Sequence, residues 1–316
     1  MATYNHEEFI EMAVEGVLKQ KTSFPFELIV GEDCSPDKTR AIIEKYALNH
    51  PDRMRLILHP KNVGGHANFT AILNACQGEY IAYLDGDDFW IADDKLQRQF
   101  DLMESNKGCS LSYHNVYLRY ESDLARIETA YPEHVGRECT LEDLVRHNSL
   151  YPCSVMFRAS IWREYPNIRM FDLAMGDWPL WIRCAQTGKI CYIDSVMATY
   201  RSHPGGAWST ASALKNIEKM IHAISSMKES LGLDAQLVTS SIVGFRRQGI
   251  DAALKSNDFA SALQNCGHII ALAIKWRNPP VISEMYYCLR VFLRYIYHYA
   301  RRKVLSVGSL FKTCHE

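Results

Sequence analysis

Short apolar runs alternate with amphipathic stretches through the first hundred residues. Phe26-Glu-Leu-Ile-Val-Gly31, residues 54–58 (MRLIL) and Glu79-Tyr-Ile-Ala-Tyr-Leu84 are near-continuous apolar segments bounded by polar residues, as expected of buried parallel strands. Helical patterns separate them. One runs from Asn5, which with Glu8 has the spacing of a capping box, to about Lys21. A second begins around Pro36, where a first helical turn tolerates proline, and a third follows the Asn62-Val-Gly-Gly65 loop to about Cys76. This alternation predicts a parallel α/β unit. Beyond residue 105 the pattern is mixed, with strands near 110–117, 153–157 and 190–200 and helices near 140–147 and 177–187. After about Ala211 it is helical, broken at Gly232, Asn257 and Pro279-Pro280. The chain therefore divides into an α/β domain at 1–210 and a helical region at 211–316.

Composition narrows the class. Apolar residues make up 47% of the 316, enough for a sizeable core, and 35 basic against 36 acidic side chains give no overall field for nucleic acid. Ten cysteines without a Cys-x-x-Cys pair read as buried thiols of a cytosolic protein rather than as zinc ligands. Residues 1–20 have no leader-like apolar run, and no stretch approaches the ~20 apolar residues of a membrane span, so the expected location is cytoplasmic.

Two of the expected strands end in acids, at Glu32-Asp33 and at Asp85-Gly-Asp-Asp88. Ligands of an open parallel sheet collect beyond the carboxyl ends of its strands. Carboxylates crowded there repel one another, which leaves two readings: a solvated acidic loop, or a site for a hard divalent cation that prefers carboxylate and phosphate oxygens. No G-x-G-x-x-G follows a strand, which disfavours a dinucleotide-dependent oxidoreductase.

The ordered set Ala2-Thr-Tyr-Asn5, Gly31-Glu-Asp-Cys-Ser-Pro-Asp-Lys-Thr39, Asn62-Val-Gly-Gly65, Leu84-Asp-Gly-Asp-Asp-Phe89, Gly176-Asp177 with Trp181, and Tyr200-Arg-Ser-His203 resembles family 2 of the inverting glycosyltransferases. The resemblance implies a GT-A-type fold with a mixed, mostly parallel sheet, a nucleotide diphosphate sugar as donor (UDP, dTDP or GDP) and Mn²⁺ or Mg²⁺ as cofactor. The acceptor it implies is a hydroxyl of a glycan or lipid-linked glycan in cell-surface polysaccharide synthesis. Position by position, it implies that Thr3 and Tyr4 line the nucleobase pocket, that Asp33 accepts hydrogen bonds from base or ribose, and that Asn62 approaches the nucleotide. Asp85 and Asp87 form the D-x-D pair, Asp87 touching the metal and Asp85 the ribose or a bridging water. His203 contacts metal or diphosphate, Arg201 offsets phosphate charge, and Asp177 is the general base. Asp177 has a second reading as the N-cap of the helix it starts. Trp178 is a candidate for stacking on the acceptor sugar. The chain departs from the family in having Gly176 where a glutamate is usual and Glu32 where an aspartate is usual.

The family begins with a central strand directly before the residues matching Ala2-Thr-Tyr-Asn5, so that strand is expected to draw on residues upstream of Met1. Residues 281–305 join aliphatic and aromatic residues to Arg290, Arg294, Arg301, Arg302 and Lys303. They suit either a helix docked on the protein or one lying at the inner membrane face beside anionic lipid. The rival to an enzyme is a catalytically degenerate, membrane-associated partner in a glycan-assembly complex.

Overall fold

Apolar residues on both faces make strands of the N-terminal runs, since such segments are stable only where a sheet is covered on both sides. A computed structural model of the chain describes residues 1–131, 139–164, 176–206, 208–276, 284 and 286–293. β1 (Ala2–Thr3), α1 (Ile10–Leu18), β2 (Leu28–Glu32), α2 (Thr39–Asn49), β3 (Met54–Leu58) and α3 (Gly65–Ala75) come first, with the strands parallel in the order β1-β2-β3. They pair from Leu28↔Met54 to Glu32↔Leu58 and at Ala2↔Gly31 and Thr3↔Glu32.

A second sheet follows from β4 (Tyr80–Ala82), β5 (Phe89–Trp90), α4 (Lys95–Ser105), β6 (Cys109–Tyr120), β7 (Asp123–Thr129), α5 (Leu141–Arg146), β8 (Met156–Arg158), α6 (Ala159–Glu164), α7 (Asp177–Thr187) and β9 (Lys189–Ser202). Its order is β4-β8-β6-β9-β5, with β7 on β6. The β6–β9 pairing is parallel and the rest are antiparallel, so parallel character is concentrated in the first sheet. A bridge from Ala2 to Asp85 joins the two sheets.

β1 lies inside the Ala2-Thr-Tyr-Asn5 segment, whereas the resemblance places a central strand directly before it. Ala2 N–H donates to Leu84 O (3.2 Å), Gly86 N–H to Ala2 O (2.8 Å), and Gly31 N–H to Met1 O (2.9 Å). Gly86 is required by this seam: a Cβ there would stand 2.7 Å from Thr3 Oγ1 and 2.9 Å from Ile10 Cδ1. The capping box expected at Asn5 does not form. Asn5 has φ 59° and α1 starts at Ile10, because the backbone N–H groups of Asn5, His6 and Glu7 donate to Ser35 Oγ (2.9 Å), Thr39 Oγ1 (2.8 Å) and Asp37 Oδ2 (3.0 Å). Tertiary bonds to the β2–α2 loop replace a local cap.

Beneath the acidic turn, Trp90 Nε1–H donates to Cys153 O (2.9 Å) and the fully buried Lys95 lies 4.1 Å from the Trp90 ring centroid, its Nζ donating to Gln99 Oε1 (2.7 Å). Burial pushes the Lys95 ammonium down to about 7. A lysine lowered on folding costs stability that is fully present below that value and recedes as pH rises toward the unfolded value, because the unfolded chain holds the extra proton. Between pH 7 and 9 the wild-type chain is therefore expected to gain about 2 kcal/mol relative to Lys95→Met, read from denaturant midpoints at the two pH values. Parallel curves for the two proteins would refute it.

The sulfurs of Cys109 and Cys191 meet across β6 and β9, a departure from the expectation of free thiols throughout. Cys153, Cys184, Cys266 and Cys288 are buried free thiols.

The chain separates into two compact units, Met1–Thr210 with Glu229–Gly232, and Ala211–Lys228 with Leu233–Glu316. The second contains most of α8 (Ala213–Ser230), then α9 (Ala235–Lys255) and α10 (Phe259–Trp276). Gly232 and Asn257, at φ 61° and 58°, separate these helices, and Ile250, Ala253, Ile269 and Ala273 are at their core. Pro279-Pro280 and most of 281–305 lie outside the described residues. Among the described residues no helix is long and apolar enough to cross a membrane.

Candidate active site

The carboxyl ends of β1 and β2 and the 85–88 turn after β4 lie side by side, held by the Ala2–Asp85 bridge and by Asp33 N–H donating to Thr3 O (3.1 Å). Just past β4, Tyr83 lies two residues before Asp85, and its O–H donates to Asp85 Oδ1 (2.7 Å). Asp85, Asp87 and Asp88 each place a carboxylate oxygen within 4.8 Å of the others. Burial, then the charge of Asp87, pushes Asp85 up to about 7, and the same two causes raise buried Asp88 well above its usual range. Asp88 is tied to the fold, its Oδ1 receiving Arg201 N–H at 2.8 Å.

Asp87 behaves oppositely. Burial works against its ionisation, but the His203 hydrogen bond and the charges of His6 and His203 outweigh that and hold it below the usual carboxylate range. Its Oδ2 lies 3.1 Å from His203 Nε2 and 3.7 Å from His6 Nε2. These three side chains form a second group of donor atoms within 4.8 Å of one another. The crowded carboxylates, two of them driven toward neutrality, and the adjacent imidazoles offer the mixed oxygen and nitrogen donors that a divalent cation takes. The residues present fit the metal that the resemblance implies.

Asp177 is the first residue of α7. It is not the side-chain N-cap that was its second reading: Gly176 holds that position, with no side-chain cap bond. Burial raises the Asp177 carboxyl, opposed by Asn148, whose Nδ2–H donates to Asp177 Oδ2 at 3.2 Å. The charge of Asp177 also raises Asp85, and Tyr83 feels Asp85, Asp177 and Asp87 together, which places all three acids in one electrostatic neighbourhood. A Cβ on Gly176 would stand 3.1 Å from His66 Nδ1 and 3.3 Å from Phe69, so His66 and Phe69 take up room that a glutamate there would need.

Four expected site residues sit differently from their sequence reading. Thr3 is 2% exposed and pairs its hydroxyl with His6 Nδ1 (3.2 Å), so it braces that ring and offers almost no surface to a base. Arg201, its side chain 3% exposed, donates to Asp87 O (2.7 Å), pairs with Glu121 (3.4 Å) and lies between the Phe9 and Phe89 rings; it holds the acidic turn from behind and is too enclosed to meet a diphosphate. Trp178 is completely buried, with Nε1–H donating to Leu144 O (2.7 Å), which leaves no ring face for a sugar. Asp33 is 2% exposed and its carboxylate faces the 62–64 loop, one oxygen receiving Val63 N–H at 2.6 Å and the other Gly64 N–H at 2.9 Å. Asn62 is exposed beside them, its Oδ1 receiving Gly64 N–H at 3.1 Å, and the Tyr4 ring is 44% exposed.

Sequence reasoning missed His6, Tyr83 and Asn148. Tyr83 was open to a spacing argument, being two residues before Asp85 in the extended segment expected at 79–84. His6 directly follows the Ala2-Thr-Tyr-Asn5 segment but belongs to no periodic pattern, and Asn148 is in a loop that only the folded chain brings to Asp177.

The profile of the family described as Glycosyl transferase family 2 matches residues 1–161. An uncharacterized protein of Mycobacterium tuberculosis is 35% identical over 209 residues, which are 66% of this chain and 59% of that protein, so the chain spans less than two thirds of that relative's length. The putative teichuronic acid biosynthesis glycosyltransferase TuaG of Bacillus subtilis is 28% identical over 234 residues, covering 72% of this chain and 88% of TuaG. Among solved structures, S. aureus TarS 1–349 in complex with UDP-GlcNAc superposes with a TM-score of 0.63 at 18% identity, over 86% of this chain and 79% of that one, a likeness of fold.

Proposed function

The chain belongs to glycosyl transferase family 2 and has the GT-A fold, and from that premise we propose that it is an inverting transferase moving a sugar from a nucleoside diphosphate donor to a glycan hydroxyl. The observation that carries this reading is the gathering of Asp85, Asp87 and Asp177 in one neighbourhood beyond the carboxyl ends of the strands, with His6 and His203 beside Asp87. The glycan class is supported by the name of TuaG, and a nucleotide sugar as donor by the ligand of TarS.

In this reading Asp87 and His203 are the residues that would hold a divalent cation, and Asp85 would meet the ribose or a bridging water. Such a cation supplies neutralisation of the charge that gathers on a departing diphosphate. Asp177 takes the proton of the attacking hydroxyl, and Asn148 keeps its carboxylate oriented. The exposed Tyr4 ring is offered to the base, while Asp33 shapes the 62–64 loop beside it. Inversion needs one attack opposite the leaving group, so no second catalytic carboxylate is required. Exposed Tyr286, Leu289, Phe292 and Leu293, with Arg290 among them, support contact of the helical unit with a membrane surface that carries a lipid-linked acceptor.

The test is a panel of UDP-, dTDP- and GDP-sugars with and without chelator, reading released nucleoside diphosphate. Chelator-sensitive release from one donor is expected. Binding of a donor with no release in the presence of a glycan acceptor would favour the degenerate-partner reading.

A further inference from the structure

His6 is held as firmly as the residues around it that the sequence singled out. Its backbone N–H is bonded to Thr39 Oγ1 (2.8 Å), its Nδ1 is paired with the Thr3 hydroxyl (3.2 Å), and its ring stands edge-on to those of Phe9 and His203 at centroid distances of 6.4 and 6.3 Å. With Nδ1 occupied, Nε2 is the atom left to face Asp87 Oδ2, 3.7 Å away, the same oxygen that His203 Nε2 meets at 3.1 Å. Neutral partners at Nδ1 of this kind are what orient ligating imidazoles in metal sites. Two donors at right angles around a small divalent cation, each ~2.1 Å from it, stand ~3.0 Å apart, so the His203–Asp87 separation of 3.1 Å already matches and the 3.7 Å of His6 needs a closing of ~0.7 Å.

We propose that His6 is a third protein ligand of the cation, making the site a two-histidine, one-carboxylate site that prefers Mn²⁺ over Mg²⁺. The proposal rests on the reading of Asp87 as the metal-binding acid. Imidazole nitrogen binds the later, softer divalent ions far better than Mg²⁺, which favours carboxylate and water oxygen. A site built from Asp85 and Asp87 alone would discriminate little between the two. The third ligand also joins the loop after β1, pinned to the β2–α2 loop, to the acidic turn after β4.

The test is Mn²⁺ and Mg²⁺ titration of the full chain without donor, by calorimetry and by loss of the free Mn²⁺ paramagnetic resonance signal. Wild-type chain, His6→Gln and His6→Asp are compared. His6→Gln is expected to weaken Mn²⁺ binding at least ~10-fold while Mg²⁺ binding changes less than threefold. His6→Asp, with an oxygen donor in place of one of the two imidazoles, is expected to bind both ions with the preference for Mn²⁺ reduced at least ~10-fold from that of the wild type. Pulsed resonance of bound Mn²⁺ should show nitrogen coupling from two imidazoles in the wild type and one in His6→Gln. Unchanged Mn²⁺ affinity and nitrogen coupling in His6→Gln would overturn the proposal while leaving the reading of Asp87 intact. Absence of Mn²⁺ binding by the wild type would overturn both. Melting in chelator checks that each variant is folded, and if His6→Gln is not, the wild-type nitrogen count and His6→Asp selectivity decide the matter.

Discussion

Asp177→Asn is expected to lower kcat by about 10²–10⁴ while leaving donor affinity within about twofold. The substitution keeps the shape of the side chain, and its amide oxygen can still receive the Asn148 Nδ2–H that Asp177 Oδ2 receives at 3.2 Å, so what is lost is the ability to take a proton. The position has a further signature. Burial raises the Asp177 carboxyl, and a base works only when ionised. The rate should therefore fall on the acid side of its profile, with the limb lying at higher pH than a solvated aspartate would set. Rate measured against pH with saturating donor tests this, and ordinary turnover by Asp177→Asn would remove the assignment.

The second large effect concerns binding. With Mn²⁺ and UDP at about 100 times the dissociation constant, the wild-type chain should gain ~2.7 kcal/mol of stability. For a unit of this size that corresponds to a rise of roughly 5–10 °C in Tm. Asp87→Ala should lose nearly all of that rise, because Asp87 is the one acid common to both groups of donor atoms and the one held ionised beside His203 and His6. The comparison is made against each protein in chelator, so any change in the unliganded fold drops out. A shift as large as that of the wild type would show that the nucleotide and metal are held elsewhere.

How much of this was legible in the chain varies with physical cause. The strand at 28–32 was readable because burial of every residue leaves an uninterrupted apolar run; β3 spans the residues expected of it at 54–58, although only Met54 is buried there and Arg55 and Leu58 are exposed. β7 was invisible for the complementary reason: every one of its residues is exposed, so its sequence carries no period, and it exists by pairing with the end of β6. α1 began five residues later than expected because bonds to the β2–α2 loop outweighed a local cap. At the site, motif order located the acids of the turn, but a motif cannot tell which way a side chain faces. Arg201 and Trp178 lie in matching segments and turn inward, whereas His6, outside any pattern, turns toward Asp87.

The glycine between the two aspartates of the turn has a bearing on how such a chain can diverge. With Thr3 Oγ1 and Ile10 Cδ1 each closer than 3 Å to where a methyl group would sit, position 86 admits a larger residue only where the side chains at 3 and 10 both give way. Drift at the turn is thereby tied to the amino-terminal segment: a descendant that enlarges position 86 must also carry changes at 3 and 10. The spacing of the acids is then inherited through crowding among neighbours that never touch the sugar.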